Sequence, residues 1–148
     1  MAPLTYTTYQ KRHRHQCMAL FEQNCPHFFA VEERADYEEF LDSAPQNYWL
    51  VRQSDDCVAC YGLTIQGSDA SINWIMVDPT AHRRGIGSAM IARAFSIFTD
   101  HGVTHLKLAT SQHAVRFFAR FGLTETSRTL NGWGLGMHRM DMEMAFRR

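Results

Sequence analysis

Val77-Asp78-Pro79-Thr80-Ala81-His82-Arg83-Arg84-Gly85-Ile86-Gly87-Ser88 is the stretch on which the reading of this chain turns. It lies between an apolar run ending at Val77 and a long amphipathic pattern beginning at Ile86. A glycine-bearing link between a strand and a helix has a specific physical consequence. The first helical turn leaves backbone N–H groups without partners, the aligned peptide dipoles add partial positive charge there, and glycine lets a ligand approach the main chain closely. Together these suit a phosphate, and Arg83 and Arg84 add charge and hydrogen-bond donors.

Two common phosphate patterns do not fit. The Walker pattern ends in Gly-Lys-Ser or Gly-Lys-Thr, which is absent. The dinucleotide pattern needs a third glycine where Met90 stands, and it opens a parallel βαβ unit.

Working outward, Ile86, Met90, Ile91, Ala94, Phe95 and Phe98 make one apolar face of a helix from 86 to 101, with Gly102 as its cap. A strand is expected from 103 to 110, a helix from 112 to 121, a strand from 123 to 128, a glycine-rich loop from 131 to 136, and a last strand from 138 to 146. Trp133 in that loop can be a lid or a packing anchor. Upstream, strands at 48–52, 57–66 and 70–77, separated by short polar turns, predict an antiparallel meander. A first strand at 4–9 and helices at 11–24 and 31–41 precede it. This order predicts an α+β fold in one domain, 1–148: an α/β/α three-layer arrangement around a mixed, mostly antiparallel sheet of about seven strands, with four helices.

The bulk numbers agree with a globular domain. The chain has 148 residues, 45% hydrophobic and 20% charged. Lys plus Arg and Asp plus Glu balance at 15 each, so no global field draws the chain to nucleic acid or to an anionic membrane. The run Lys11 to His15 reads as a solvated helix face. No apolar stretch reaches the ~20 residues of a membrane span, and the first residues lack a secretory pattern, so a cytoplasmic protein is expected. Cys57 and Cys60 are three apart on a strand. They should face opposite sides as ordinary thiols, and no metal site is expected.

With these residues in hand, the chain resembles the GNAT superfamily of N-acetyltransferases. Val77 through Met90 is similar to its pyrophosphate-binding motif, and Ala114-Val115-Arg116-Phe117-Phe118-Ala119-Arg120-Phe121-Gly122-Leu123 to its next helix and the glycine that closes it. The resemblance implies acetyl-CoA as cosubstrate, lying between the strand ending near Val77 and the one beginning near Leu106. Ile75, Met76 and Val77 would pair with the pantetheine arm. His82, Arg83, Arg84, Gly85, Ile86, Gly87 and Ser88 would hold the pyrophosphate, and Ser111, Ala114, Phe117 and Phe118 would complete the site. The implied reaction is acetyl transfer to a primary amine of a small-molecule or protein acceptor by direct attack in a ternary complex. A homodimer is also implied.

Three positions depart from the pattern. His82 replaces the usual Gln or Arg, Ser111 replaces a common Asn, and Phe118 replaces a Tyr that protonates the departing thiolate in many members. Phenylalanine has no proton to give. No base stands out. Asn73 and Ser71, expected on the side of Ile75 and Val77, can order a water, and Ser111 can donate a hydrogen bond. His138 is the preferred base, with a solvated strand-end histidine as the alternative. Glu32 and Glu33 read as the charged first turn of a helix. A CoA-binding sensor with weak chemistry is the alternative function, and nucleotide binding without CoA rests on the glycine loop alone.

Overall fold

The computed structural model describes residues 2–146; Met1, Arg147 and Arg148, part of the expected domain, lie outside the described residues. Its strands are β1 (Leu4–Thr8), β2 (Tyr48–Gln53), β3 (Asp56–Gln66), β4 (Asp69–Val77), β5 (His105–Thr110), β6 (Thr124–Gly134) and β7 (Met137–Ala145). Its helices are α1 (Arg14–Gln23), α2 (Arg34–Asp42), α3 (Ile86–Asp100) and α4 (Val115–Ala119). The strands form one sheet in the order β1-β2-β3-β4-β5-β7-β6. Neighbours run antiparallel except β4 and β5. None of the described helices is long and apolar enough to cross a membrane.

Two apolar cores sandwich the sheet, which makes the three layers. On one face, Ile86, Met90, Ile91, Ala94 and Phe98 of α3 pack on Val51, Leu63, Ile72 and Leu106 of the sheet. This is the stripe expected from the helical period, and each of its larger side chains contributes roughly 1.5–3 kcal/mol by leaving water. On the other face, Cys17, Leu20 and Phe21 of α1 and Tyr37 and Leu41 of α2 pack on Tyr48, Leu50, Cys60 and Met76.

Two β-bulges reset which side chains face which core. Val51 pairs with Ala59 and Arg52 with Cys57, so Val58 is an extra residue in β3. Cys57 and Cys60 consequently share the α1/α2 face rather than opposing ones. All four cysteines are free thiols, Cys17 and Cys60 buried and Cys25 and Cys57 partly so. Among the described residues no group of three His, Cys, Asp or Glu is placed to hold a metal ion.

The second bulge is in β4. Gly62 pairs with Asn73 and Cys60 with Met76, so Tyr61 alone faces both Trp74 and Ile75. Trp74 has φ +44°, a conformation that costs a non-glycine residue about 1–3 kcal/mol. The Tyr48 hydroxyl offsets that cost by donating to the Trp74 carbonyl at 2.8 Å. The indole lies against Tyr37 and Phe29, with ring centroids 4.8 and 6.0 Å away. Ala70 and Ile72 face α3 before the bulge, and Ile75 and Val77 do after it. Ser71 and Asn73 therefore lie on the face opposite Ile75 and Val77, which corrects the sequence expectation.

The C-terminal part differs in two further ways. The helix expected over 112–121 contracts to the five residues of α4. The expected glycine-rich loop is mostly strand: β6 runs to Gly134, and only Leu135 and Gly136 turn the hairpin. Between Thr129↔Arg139 and Gly134↔Met137, four residues of β6 face only His138, a wide bulge that a two-residue repeat cannot reveal.

Candidate active site

β4 and β5 pair only at their starts, Asp69–Ser71 against His105–Lys107, and then separate. Parallel neighbours that splay leave backbone groups unpaired, and the gap here opens into a cleft of about 520 Å³. On the other side of β4 the ladder continues, with Asp78 N–H bonding the Val58 carbonyl at 2.8 Å. Alternate residues of an antiparallel strand face alternate neighbours, so Val77 turns its own N–H and C=O into the gap. Its carbonyl is already taken. It accepts from Asn24 Nδ2 at 3.1 Å and from His82 Nε2 at 3.0 Å. Because a carbonyl can only accept, the His82 proton sits on Nε2. His82 thus braces the strand end, and the Val77 N–H is the group left for a ligand.

At one end of the cleft stands the N-terminus of α3. Gly85 has φ +76°, which a side chain there would strain, and it turns the chain so that the helix starts at Ile86. The first helical hydrogen bond is Ala89 N–H to Gly85 O, at 3.0 Å. The N–H groups of Ile86, Gly87 and Ser88 precede that bond and are available to an anion. Gly85, Gly87, Ser88 and His82 line the cleft, as do Ser111, Ala114, Phe117 and Phe118 across from them. Ile75, Met76 and Val77 form its β4 wall.

Several expected site residues fall elsewhere. Arg83 and Arg84 are exposed and do not line the cleft; Arg84 reaches instead toward Gln53, at 3.5 Å. The Ile86 side chain is buried in the α3 core, so only its backbone can serve a ligand. His138 also lies outside the cleft lining. Its Nδ1 accepts the Asn131 N–H at 3.0 Å, inside the β6 bulge. A neutral imidazole with Nδ1 so occupied carries its proton on Nε2, leaving no lone pair to act as a base. This geometry lends the expectation of His138 as base no support.

The other end of the cleft is built by the segment before α2, by β4 and by the β6–β7 hairpin. Asn24, Glu33, Ser71, Asn73, Trp74 and Trp133 line it. Trp133 is an anchor: its Nε1–H donates to the Thr110 carbonyl at 2.9 Å, with the Arg139 guanidinium 5.1 Å from its ring. The hairpin docks on the segment before α2, where the Glu32 carboxylate accepts Leu135 N–H at 3.1 Å. Gly134 permits that contact, since a Cβ there would collide with the Ala30 Cβ at 2.7 Å and with the Glu32 carboxylate.

Glu33 is a candidate that sequence reasoning took only as part of a charged first helical turn. It is 5% exposed and lines the cleft. Burial pushes its carboxyl up to about 7, against the opposing pull of its hydrogen bond from Ala30 N–H. A Glu three residues after a helix start is a capping signature, so the local pattern announced a structural role and nothing more. The segment following α1 also crosses the cleft mouth. His27 stacks on His113 at 4.7 Å, and Phe28 meets the His82 ring edge-on at 5.2 Å.

A helix N-terminus aimed into the gap between splayed strands suits an anionic ligand with an extended arm. Residues 15–123 match the acetyltransferase (GNAT) family, and the chain belongs to it. An amino-acid acetyltransferase of Mycobacterium tuberculosis is 31% identical over 93 residues, which are 60% of this chain and 52% of that protein. The chain spans about half the length of this curated relative. Among solved structures, Ard1 from Thermoplasma volcanium superposes with a TM-score of 0.80 at 15% identity, covering 98% of this chain and 99% of its own. Rv2747 from Mycobacterium tuberculosis, solved with CoA and NLQ, gives 0.71 at 17% identity over 97% and 99%. At such identities these two share the fold with this chain.

Proposed function

We propose that this chain transfers an acetyl group from acetyl-CoA to a primary amine in a ternary complex, with Glu33 as general base. The observation that carries the proposal is a buried carboxylate, poised near neutrality, in the same cleft as an open helix N-terminus. The donor set fits the cosubstrate: the N–H groups of Ile86, Gly87 and Ser88 suit a pyrophosphate, and the open β4 edge suits an amide-bearing arm. When bound, acetyl-CoA supplies an activated acyl group, whose C–S bond breaks as the amine nitrogen forms the C–N bond.

The chain's residues do the rest. Glu33 takes the proton that the attacking amine must lose, and a base tuned near the working pH does this best. The Val77 N–H, facing the gap, polarises the acyl carbonyl. Phe118, 2% exposed, has no proton for the leaving sulfur. Ser111 lies close by in the cleft wall; its oxygen accepts His113 N–H at 3.3 Å, so its own proton can turn toward the sulfur. Asn73 donates to Thr64 at 3.0 Å on the α1/α2 face, where its carbonyl oxygen can orient the incoming amine or a water.

The lack of a phenol at Phe118 favours one other reading, a CoA-binding module with little turnover. Release of CoA thiol in the presence of an amine panel separates the two. Turnover that is lost in Glu33→Gln supports the enzyme. Tight acetyl-CoA binding with no thiol released from any amine supports the module.

A further inference from the structure

The acceptor end of the cleft has a chemical character of its own. Its aromatic faces come from Phe29, Trp74 and Trp133, and its only carboxylate is Glu33 among the described residues lining it. Three of its side chains spend N–H donors on the protein, which leaves the Trp74 indole N–H and one Asn73 N–H as neutral donors at this end among the described residues. Asn24 Nδ2 serves the Leu20 and Val77 carbonyls at 2.8 and 3.1 Å. Asn73 Nδ2 serves Thr64, and Trp133 Nε1 serves Thr110.

The cations stand elsewhere. The basic residues that line the cleft are His82, His113 and Arg120. His82 and Arg120 belong to the turn before α3 and to the end of α4, on the side of the helix N-terminus. His113, in the connection from β5 to α4, stands beside the hairpin that its neighbour Gln112 bonds. Burial, with the His27 and His138 rings nearby, holds its imidazole below the usual range, so it is neutral at pH 8. Arg120 lies over the Phe117 and Phe121 rings. Arg139, behind Trp133, is outside the lining and holds Asp141 at 3.1 Å.

Among the described residues lining this end, a carboxylate would find no side-chain cation and would face Glu33, losing its hydration without a compensating pair. An ammonium would meet ring faces and a carboxylate, both attractive to it. From these residues we infer that the acceptor is a small primary amine on a hydrocarbon or aromatic body, with no carboxylate beside the amine. The inference rests on the acetyl-transfer reading above and specifies its substrate class. The amine arrives from the α1/α2 face, where the bulge at Trp74 places the indole, and meets the acyl group in the gap between β4 and β5.

Phenethylamine and L-phenylalanine share one body and differ by the carboxylate, so they make the test. Wild-type protein is assayed with acetyl-CoA at pH 8 by release of CoA thiol, and acetyl-CoA binding is measured separately by thermal unfolding. The expected result is a kcat/KM at least tenfold higher for phenethylamine, with L-glutamate inert. Equal rates, or a preference for L-phenylalanine or L-glutamate, overturn the inference while leaving acetyl transfer intact. Acetyl-CoA binding with neither aromatic amine acetylated also overturns it. No acetyl-CoA binding removes the acetyl-transfer reading and this inference together.

Discussion

The Glu33 carboxylate folds back to accept the N–H of Ala30 at 2.8 Å, beside the cleft rather than out in solvent. That bond favours the charged form and burial opposes it; burial wins, and the group titrates at about 7. The rate of acetyl transfer should therefore rise with pH through about 7. Glu33→Gln should lower kcat by about 10²–10⁴-fold and abolish that limb. A pH–rate profile of both proteins checks this.

The same shift affects folding. The carboxyl is raised from 4.5 to about 7, so between those values the folded chain holds the proton more tightly than the unfolded chain. The contribution of Glu33 to stability is most favourable below pH 4.5 and falls as pH rises toward 7. Glu33→Gln, whose amide oxygen can still accept Ala30 N–H, should raise Tm at pH 8 and give no gain at pH 4. Thermal unfolding at the two pH values measures it.

Acetyl-CoA at ~100 times its dissociation constant should stabilise the fold by about 2.7 kcal/mol. Gly85→Glu places a side chain at φ +76° and a negative charge at the helix N-terminus. It should fold with reduced stability and lose the acetyl-CoA shift. Thermal unfolding with and without the cosubstrate, for both proteins, reads the difference.

Trp133→Phe keeps a ring in place but removes the hydrogen bond to Thr110 that ties β6 to β5. The acceptor's KM should rise while the acetyl-CoA dissociation constant stays within about twofold, since that bond lies outside the anion-binding end; a 1.4 kcal/mol change would already be tenfold. Initial-rate kinetics and calorimetric binding separate the two.

Tyr48→Phe deletes a fully buried hydroxyl that bonds Trp74 O and Tyr37 Oη, each at 2.8 Å. Leaving those partners unsatisfied should cost about 1–3 kcal/mol in urea unfolding. Because the Trp74 bulge shapes the acceptor end, acceptor kcat/KM should fall as well.

Much of this protein was legible along the chain. The stripe of α3, the turn at Gly85 and the open N–H groups after it are local, set by residues within a few positions of one another. The match of helical and strand periods to the two cores was legible too, and so was the position of the cleft beside Val77.

What the sequence by itself determined is therefore the layered fold and the helix N-terminus at one end of its cleft, because helix starts and periodic faces are short-range properties. Only the tertiary structure decided the other end. The bulges at Val58 and Trp74 each insert one residue into a strand, and a two-residue repeat is blind to the change of face that follows. His138 has its Nδ1 engaged by the Asn131 N–H because a bulge across the hairpin brings the two together. Glu33 is proposed as base because chain far away in sequence closes over its segment. Leu135 is tied to Glu32, 103 residues before it and next to Glu33, and burial rather than residue type raises the Glu33 carboxyl to about 7. Proton affinity depends on surroundings, and here those surroundings come from segments that meet only when the sheet is assembled.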